Sequence, residues 1–384
     1  MSQPNQSHRQ EPALNWGRQE EAKKYARAKL WLAFADVALA GILLLLLVFG
    51  GLSQRLAGLF TLPVVPGASL YLVMLMVAYG VLSAPLSYYG GFVLPHRYGL
   101  SIQKLTGWLG DRAKAGMLGL VFGAGMVAVI YWFITSFPAI WWLLSWGVVV
   151  LLSLILTNLT PIIIVPLFYK MEPLGNTDLR LKLEQLAQRA KVRVCDIYSL
   201  ELSRKGTTAY AALMGLGNTR RVVLSDTLLQ RYSSPEVETV VAHELGHHLH
   251  SDIFRLFVTQ SAIWLIGFYV ADLVLKVSVM QLGFNSMSDI AALPLLMLIF
   301  AIISLLAAPL TNAYSRHLEA AADDYALRLT DNPESFINTM TKLADQNLSE
   351  AQPGRWVELL LYDHPCYHKR VEHARHYLIH SRNQ

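Results

Sequence analysis

The residues best suited to metal binding and catalysis lie in the run 243–247, which reads His-Glu-Leu-Gly-His. Histidines four positions apart on a helix share one face about one turn apart, so His243 and His247 can bind the same metal ion. Glu244 lies between them and is placed to act as general base on the attacking water. This HExxH pattern is typical of zinc peptidases, and the alternative is a surface helix with two solvated histidines.

The segment around the motif predicts a helix with a defined start. Ser233 and Ser234 precede Pro235 and Glu236, and all four are residue types favoured at helix N-termini. Apolar side chains then follow at helical spacing: Val237, Val240, Val241 and Leu245. We therefore expect one side of this helix to pack against the protein while the histidines face a cleft.

A second helical segment supplies a candidate third ligand. Glu319 and Asp323 are four positions apart in a run rich in alanine and leucine, so they share one helix face. Two histidines and a glutamate are a standard ligand set for catalytic zinc, and Asp323 is placed to hydrogen-bond a ligand histidine. Taken alone, Glu319 could instead pair with Arg316 or His317 on a solvated face. The upstream HExxH favours the metal interpretation, with one zinc ion per chain held by its two histidines and Glu319.

The composition indicates a membrane protein. Of the 384 residues, 54% are hydrophobic and only 15% are charged, whereas about a quarter are charged in a typical soluble protein. The apolar residues form long runs, which predict about six transmembrane helices. The predicted spans cover residues 30–51, 69–89, 116–137, 140–164, 254–275 and 290–310.

Charge and cysteine content exclude several other classes. The net charge of +5 could indicate a nucleic-acid partner. However, the basic residues flank the predicted spans, as in cytoplasmic loops, so we predict contact with membrane lipid and no nucleic acid. The two cysteines are too few for a disulfide framework or a four-thiolate zinc site.

The spans divide the chain into three predicted parts. Residues 1–29 form a polar tail, and 30–166 form a transmembrane region of four spans. Residues 167–384 form a metalloprotease domain interrupted by a two-span hairpin over 254–310. An even number of spans places both polar blocks on one side, and the distribution of lysine and arginine predicts that this side, with the active site, faces the cytoplasm.

The polar blocks are predicted to be mainly helical with a small β-sheet. Residues 179–190 have helical spacing, whereas 192–200 and 221–225 have the pattern of short strands. Between these strands, Thr207–Leu216 is apolar and typical of β-structure. A peptide substrate is expected to add as an extended strand along Thr207–Leu213.

The combined motifs resemble those of integral-membrane zinc metalloproteases of the gluzincin type, and most closely the type I CAAX prenyl endoprotease family. The resemblance rests on HExxH, the two-span hairpin and the later Ser-Arg-x-x-Glu-x-x-x-Asp over residues 315–323. It extends over most of the chain after residue 30. Further similar runs are Tyr98–Ser101, Trp108–Lys114, Pro161–Leu174, Val222–Leu229 and His364-Pro365 followed by Arg370.

The resemblance implies a zincin-like metalloprotease domain on a mainly α-helical polytopic membrane protein. It also implies roles for individual residues: His243, His247 and Glu319 as zinc ligands, Glu244 as catalytic base, and Asp323 as a hydrogen-bonding partner of the ligands. His364 is implied to steady the oxyanion or the substrate carbonyl, with Arg370 shaping that loop. The alternative is that His364-Pro365 only marks the start of a helix.

Two positions depart from the family pattern. The family often has Asn-Ala-Tyr on the strand that lines the substrate, and this chain has Thr208-Ala209-Tyr210 as its candidate substrate-binding residues. Cys366 replaces the second proline of the family's His-Pro-Pro. Several C-terminal histidines could suggest a second metal site, but their pattern favours a solvated helix: His364, His368, His373, His376 and His380.

The sequence therefore predicts a membrane-embedded zinc metalloendopeptidase that cuts peptide bonds near the cytoplasmic membrane face. The resemblance implies that it removes C-terminal tails of lipid-modified peptides and that its spans enclose a chamber. One alternative is a quality-control protease for membrane proteins with no prenyl requirement. Others are a scaffold or transporter with a degenerate site, and a zinc transporter or sensor. The intact Glu244 argues against a degenerate site, and the nearly apolar first four spans argue against zinc transport.

Overall fold

The computed structural model describes residues 13–194, 196–215 and 220–381. Two compact units divide the chain. The polar unit contains the described residues up to Ala26, Tyr169–Asp252 and the chain from Tyr314 onward. The membrane unit contains Arg27–Phe168 and Ile253–Ala313.

The chain is mainly helical, as predicted. The helices are α1 Trp16–Phe49, α2 Leu52–Ala57, α3 Val64–Tyr88, α4 Leu94–Arg97, α5 Leu105–Ser136, α6 Trp141–Leu159, α7 Val165–Phe168, α8 Thr177–Arg189, α9 Asp226–Arg231, α10 Ser234–Leu249, α11 Asp252–Gln281, α12 Leu293–Thr330, α13 Pro333–Gln346, α14 Arg355–Leu361 and α15 Tyr367–Ser381.

Six helical segments of the described chain are long and apolar enough to cross a membrane, which confirms the predicted number of spans. They are Trp16–Phe49, Val64–Arg97, Leu105–Ser136, Trp141–Phe168, Asp252–Val279 and Ile290–Thr330. Each covers one predicted span to within two residues and extends beyond it at one or both ends, because polar residues at the ends of an apolar run can continue the same helix outside the lipid.

The fourth span was expected to break at Pro161 and Pro166, but it remains helical through both prolines. A single π-helical turn over Thr160–Ile164 joins α6 to α7, and the helical path continues to Phe168. A π-turn accommodates a proline because the wider turn tolerates the missing N–H donor. The prediction was wrong here because a proline in a membrane helix can be absorbed locally instead of terminating the helix.

The predicted polar tail is helical from Trp16, where α1 begins. Within the polar unit, Gln19 is buried and accepts a hydrogen bond from the backbone N–H of Ala351 at 3.0 Å. Arg18 donates to the backbone carbonyl of Asp345 at 3.2 Å. The start of α1 is therefore fixed against the end of α13 and the loop that follows it.

The polar unit contains a four-stranded sheet in the order β1-β2-β4-β3. Its strands are β1 Met171–Pro173, β2 Asp196–Leu200, β3 Ala211–Met214 and β4 Arg221–Ser225. β2 and β4 are parallel, whereas β1–β2 and β3–β4 are antiparallel. β3 therefore forms one edge of the sheet.

The strand predictions were partly right. β4 has the predicted bounds, β2 is shorter than 192–200, and β1 was not predicted. The predicted strand from Thr207 begins only at Ala211, and Leu216 lies outside the described residues. The delay has a physical cause: the side chains of Gln346 and Asn347 bond to the backbone of Thr207 and Ala209, which replaces strand pairing there.

The core of the polar unit lies between this sheet and the helices that cover it. Fully buried side chains from α8, β4, α9, α10 and α13 meet there: Leu183, Leu224, Leu228, Leu245 and Phe336. Burying such side chains contributes about 1.5–3 kcal/mol each. This packing fixes the orientation of α10 about its own axis and so determines where its polar face points.

Candidate metal centre

The HExxH motif lies in the second half of α10. Hydrogen bonds to Glu236 hold the first turn of this helix in place. The Glu236 carboxylate accepts a hydrogen bond from the Ser233 backbone N–H at 2.7 Å, and Lys342 donates to the same carboxylate at 2.8 Å. Pro235 occupies the first turn, where its missing N–H costs nothing. With the apolar side of α10 in the core, His243 and His247 point toward α12.

Gly246 allows α12 to approach α10 closely. A Cβ atom at this position would lie 3.2 Å from the Cα atom of Ala322 and 3.2 Å from the ring of Tyr325. Because glycine lacks that atom, the two helices pack with their backbones nearly in contact. Glu319 lies about one turn before Ala322 and is thereby brought to the histidines.

The three predicted ligands converge. The Nε2 atoms of His243 and His247 are 3.2 Å apart, and Glu319 oxygens lie 3.2 Å from the first and 3.3 Å from the second. Zinc bonds of about 2.0–2.1 Å in a tetrahedron require ligand atoms about 3.3–3.4 Å apart. The observed spacing and the nitrogen–oxygen donor set therefore fit one zinc ion.

This is the one such group of histidine, cysteine and acidic side chains found across the described residues. The histidines of α15 do not form a second one within that part of the chain. His368 instead lies 4.0 Å from Glu372, and His373 lies 3.6 Å from Asp324. All four of these side chains are substantially solvated, in line with the solvated-helix interpretation.

A carboxylate faces the second nitrogen of each histidine. Asp323 lies 2.9 Å from Nδ1 of His243, and Asp252 lies 3.0 Å from Nδ1 of His247. Carboxylates in this position fix the tautomer and ring orientation so that Nε2 faces the ion. Arg370 in turn donates to both oxygens of Asp323, with its Nε 2.7 Å from Oδ2. Arg370, which was expected to shape the His364 loop, lies on α15 and contacts Asp323.

The acidic surroundings make the cluster attractive to a cation. Burial alone would lower the pKa of His243, but the adjacent Asp323 and Glu319 carboxylates raise that pKa to about 9. Burial would likewise lower the pKa of His247, but Glu319 and Asp252 raise it above its usual value. The same negative field that retains a proton on these rings favours a divalent ion between them.

The contact between Asp252 and His247 was not predicted from the sequence. Asp252 follows α10 after Ser251, whose left-handed backbone has φ of 58°. Helical spacing from His247 does not predict this contact, because the turn at Ser251 changes the direction of the chain. The available signal was an acidic residue directly after the end of the HExxH helix.

Replacing Asp252 with alanine is expected to raise the zinc dissociation constant about 10–100-fold, the usual effect of removing such a partner. The variant leaves His247 without the carboxylate that orients its ring. Competitive titration with a chromophoric chelator measures the change. Asp252→Asn, which keeps an acceptor oxygen, should fall between alanine and wild type, and Asp178→Ala on the exposed face of α8 should have no effect. Unchanged zinc affinity in the Asp252→Ala variant would refute the orienting role.

Glu244 points from α10 to the edge strand. Its Oε2 accepts a hydrogen bond from the backbone N–H of Leu213 at 3.4 Å. Burial raises the pKa of the Glu244 carboxyl above its usual value, while His243 and His247 act in the opposite direction. A carboxyl whose pKa is raised, beside a group of candidate metal ligands, is suited to accept a proton and return it.

The loop that carries His364 is tied to α12. Arg316 donates to the backbone carbonyl of Glu358 at 3.0 Å and to that of Tyr362. His364 Nε2 then lies 3.1 Å from a Glu319 oxygen, and its Nδ1 lies 2.8 Å from Asp363. The hydrogen bonds to Asp363 and Glu319 raise the pKa of His364 to about 10, so its ring is a charged donor at neutral pH. The ring remains 54% exposed and accessible to a substrate.

The candidate substrate-binding residues are Thr208, Ala209 and Tyr210, and their backbone groups form hydrogen bonds to other residues of the protein. The Thr208 carbonyl accepts from Thr227, and the Ala209 N–H and carbonyl both bond to Asn347. The Tyr210 N–H and carbonyl bond to Ser225. These internal hydrogen bonds make backbone pairing with a substrate less favourable over 208–210 than along β3, which has no further strand beside it among the described residues.

Comparisons with known proteins match both parts of the chain. A family model described as the CAAX prenyl protease N-terminal domain with five membrane helices matches residues 12–170, where the described chain has four candidate spans. The model of peptidase family M48 matches residues 173–378.

Individual relatives cover most of the chain. The uncharacterized metalloprotease YhfN of Bacillus subtilis is 30% identical over 361 residues, which is 92% of this chain and 84% of the relative. A CAAX prenyl protease 1 homolog of rice is 28% identical, over 78% of this chain and 71% of the relative. The crystal structure of Ste24p from S. mikatae has a TM-score of 0.84 at 22% identity, covering 96% of this chain and 92% of that one, and shows a shared fold.

Proposed function

Because the chain belongs to peptidase family M48 and is a membrane metalloprotease of the CAAX prenyl protease type, we propose that His243, His247 and Glu319 hold one catalytic zinc ion. Glu244 is the general base beside it. The observation that carries this assignment is the approach of the three donor groups to 3.2–3.3 Å of one another.

The chemistry divides between the metal and the surrounding side chains. Zinc, when bound, supplies a Lewis acid that activates water and polarises the scissile carbonyl. The Glu244 carboxylate accepts the proton of the attacking water and later delivers it to the leaving amine. Asp323 and Asp252 hold the two imidazole rings in place during these steps. His364 gives up its Nε2 contact with Glu319 and donates that N–H to the oxygen of the scissile carbonyl as negative charge develops there, while its Nδ1 stays on Asp363.

The peptide is bound as an additional strand on β3. Among the described residues, β3 pairs with β4 alone, and the Leu213 N–H on its other side points to Glu244. A peptide that pairs with this open edge places its backbone next to the general base. The Ala211 backbone and the Leu213 carbonyl therefore supply main-chain contacts predicted for the longer segment from Thr207, while the Leu213 N–H donates to Glu244.

We propose that the substrates are C-terminal tails of lipid-modified peptides, cut at the cytoplasmic face. The basic residues flanking the predicted spans support the orientation, and the family of the chain together with relatives described as CAAX prenyl protease 1 homologs supports the substrate class. Reporter fusions to the C-terminus test the orientation, because a cytoplasmic C-terminus gives a fluorescent protein signal and no periplasmic or lumenal phosphatase activity.

The substrate is tested with the purified protein in lipid nanodiscs. Three substrates are compared by mass spectrometry: a farnesylated peptide ending in a CAAX sequence, the same peptide without the lipid, and an unfolded membrane protein. We expect cleavage after the modified cysteine, loss of cleavage with chelator and recovery with zinc. Cleavage of the unfolded protein alone would contradict the CAAX specificity and favour a quality-control role.

Replacing His364 with alanine is expected to lower kcat by about 10²–10³-fold, the usual loss when one oxyanion donor is removed. Zinc content should stay at the wild-type level, because His364 lies outside the group of three ligands. Steady-state cleavage and elemental analysis of the same sample measure both quantities. His368→Ala, an exposed histidine on α15, is the matched control and should cleave at the wild-type rate. A wild-type kcat in the His364→Ala variant would rule out the proposed role.

A further inference from the structure

Successive residues of the segment 207–213 direct their backbone groups to opposite sides. The Thr208 carbonyl accepts a hydrogen bond from the Thr227 hydroxyl at 2.6 Å, and the Tyr210 carbonyl accepts from the Ser225 N–H at 2.8 Å. Sides alternate with a period of two in an extended chain, so the even-numbered residues face β4 and the start of α9. The odd-numbered residues face the opposite edge, which is the one on which a peptide can pair.

The end of α13 occupies the first part of that edge. Gln346 donates from its side-chain amide to the Thr207 carbonyl at 2.7 Å. The Asn347 side chain accepts from the Ala209 N–H at 2.8 Å and donates to the Ala209 carbonyl at 3.0 Å. One side chain thus bonds to both backbone groups of a single residue, as a residue of a neighbouring strand does. A peptide can pair with Ala209 only if it displaces Asn347.

The end of α13 is held in place by the start of α1, which belongs to the same unit. Arg18 donates to the Asp345 carbonyl at 3.2 Å, and the buried Gln19 accepts from the Ala351 N–H at 3.0 Å. Gln346 is itself only 9% exposed. Moving the end of α13 aside would break these contacts, so the edge has a fixed closed end.

The open part of the edge has a definite length. Leu213 marks the level of the general base, because its N–H donates to Glu244. Ala209 lies four residues before Leu213, and at about 3.4 Å per residue the two are about 14 Å apart. A paired strand advances one residue for each residue of its partner. About three residues of a peptide therefore fit between the level of the base and the Asn347 side chain.

The direction of the peptide determines which part of the substrate meets this closed end. β3 pairs antiparallel with β4, and antiparallel pairing is slightly more stable per residue than parallel pairing. A peptide that adds antiparallel to β3 points its C-terminal end toward the start of β3, where Asn347 lies. The part of the substrate beyond the cleaved bond therefore occupies the short open segment.

We propose that Asn347, with Gln346 beside it, limits the substrate beyond the cleaved bond to about three residues. A longer C-terminal part must displace the Asn347 side chain from Ala209 and is therefore cleaved slowly. Substrates are selected in this way by the distance of the bond from the C-terminus. The inference rests on the function proposed above, because the distance is counted from Glu244.

Peptide length tests the proposal on the purified, zinc-loaded protein in nanodiscs. One peptide sequence is prepared with between about two and eight residues after the cleaved bond, each with and without a farnesyl group before it. Mass spectrometry measures kcat/KM for every member. We expect similar values up to about three residues and a fall of about tenfold or more from about five residues on, because the longer tail breaks two hydrogen bonds.

Replacing Asn347 with alanine should bring kcat/KM for the long tails to within about threefold of the value for short tails, because Ala209 becomes free to pair. Zinc content and cleavage of short tails should stay near wild type. Asn347→Ser, whose side chain is too short to bond to both groups of Ala209, is a second variant with the same expected profile. Asn332→Ala is the matched control: Asn332 accepts from the Ser335 N–H at the other end of α13, so its loss should keep the wild-type length limit.

The failure of the length limit and the failure of the peptidase function give different results. A wild-type kcat/KM that stays constant from short to long tails would overturn the limit and leave the peptidase function intact, whether or not a variant folds. A wild-type length limit in the folded Asn347 variants would also overturn the proposal. If zinc is bound and no peptide is cleaved, the function proposed above is refuted together with the limit.

Discussion

Replacing Glu244 with glutamine is expected to lower kcat/KM for peptide cleavage by about two to four orders of magnitude while zinc stays bound. Glutamine has nearly the same size, and its carbonyl oxygen can still accept the hydrogen bond from Leu213. It cannot accept the proton of the attacking water. Glu244 also lies outside the group of three ligands, so the metal should be retained.

Initial cleavage rates and zinc per chain are measured on the same preparation. Glu236→Gln is the matched control, because this carboxylate lies on the same helix but bonds to Ser233 and Lys342. The control should lose thermal stability without losing activity per folded molecule. A Glu244→Gln variant that cleaves at the wild-type rate would show that another group is the base.

Replacing Glu319 with alanine is expected to remove zinc and, with it, all measurable cleavage. The change leaves two histidine ligands where a catalytic zinc needs three protein ligands. The control is Asp324→Asn, an acidic residue on the same helix that bonds to Arg328 and lies outside the cluster. Elemental analysis should find about one zinc per chain in wild type and control. Full zinc occupancy in the Glu319→Ala variant would refute the ligand assignment.

Local spacing predicted much of the site because several contacts arise within single helices. His243 and His247 share a face of α10, and Glu319 and Asp323 share a face of α12. The structure brings the first pair within 3.2 Å of each other and places Asp323 2.9 Å from His243. The six spans were predictable for a similar reason, since the length of an apolar run alone determines whether it can cross a bilayer.

Contacts that depend on turns or on side chains from distant helices were not predictable. The left-handed turn at Ser251 brings Asp252 to His247, and no helical spacing describes that turn. Asn347, just after the end of α13, bonds to the backbone of Ala209 from far along the chain and so delays the start of β3. The pairing of Arg370 with Asp323 is equally long-range. In each case the local pattern was compatible with several arrangements, and tertiary packing selected one.

The most direct test of the account is an anomalous-scattering map recorded at the zinc absorption edge from crystals of the purified protein. We predict one peak per chain, bonded at about 2.0–2.2 Å to Nε2 of His243, Nε2 of His247 and a carboxylate oxygen of Glu319. A peak at another group of side chains, or a Glu319 carboxylate remote from the ion, would contradict the central claim.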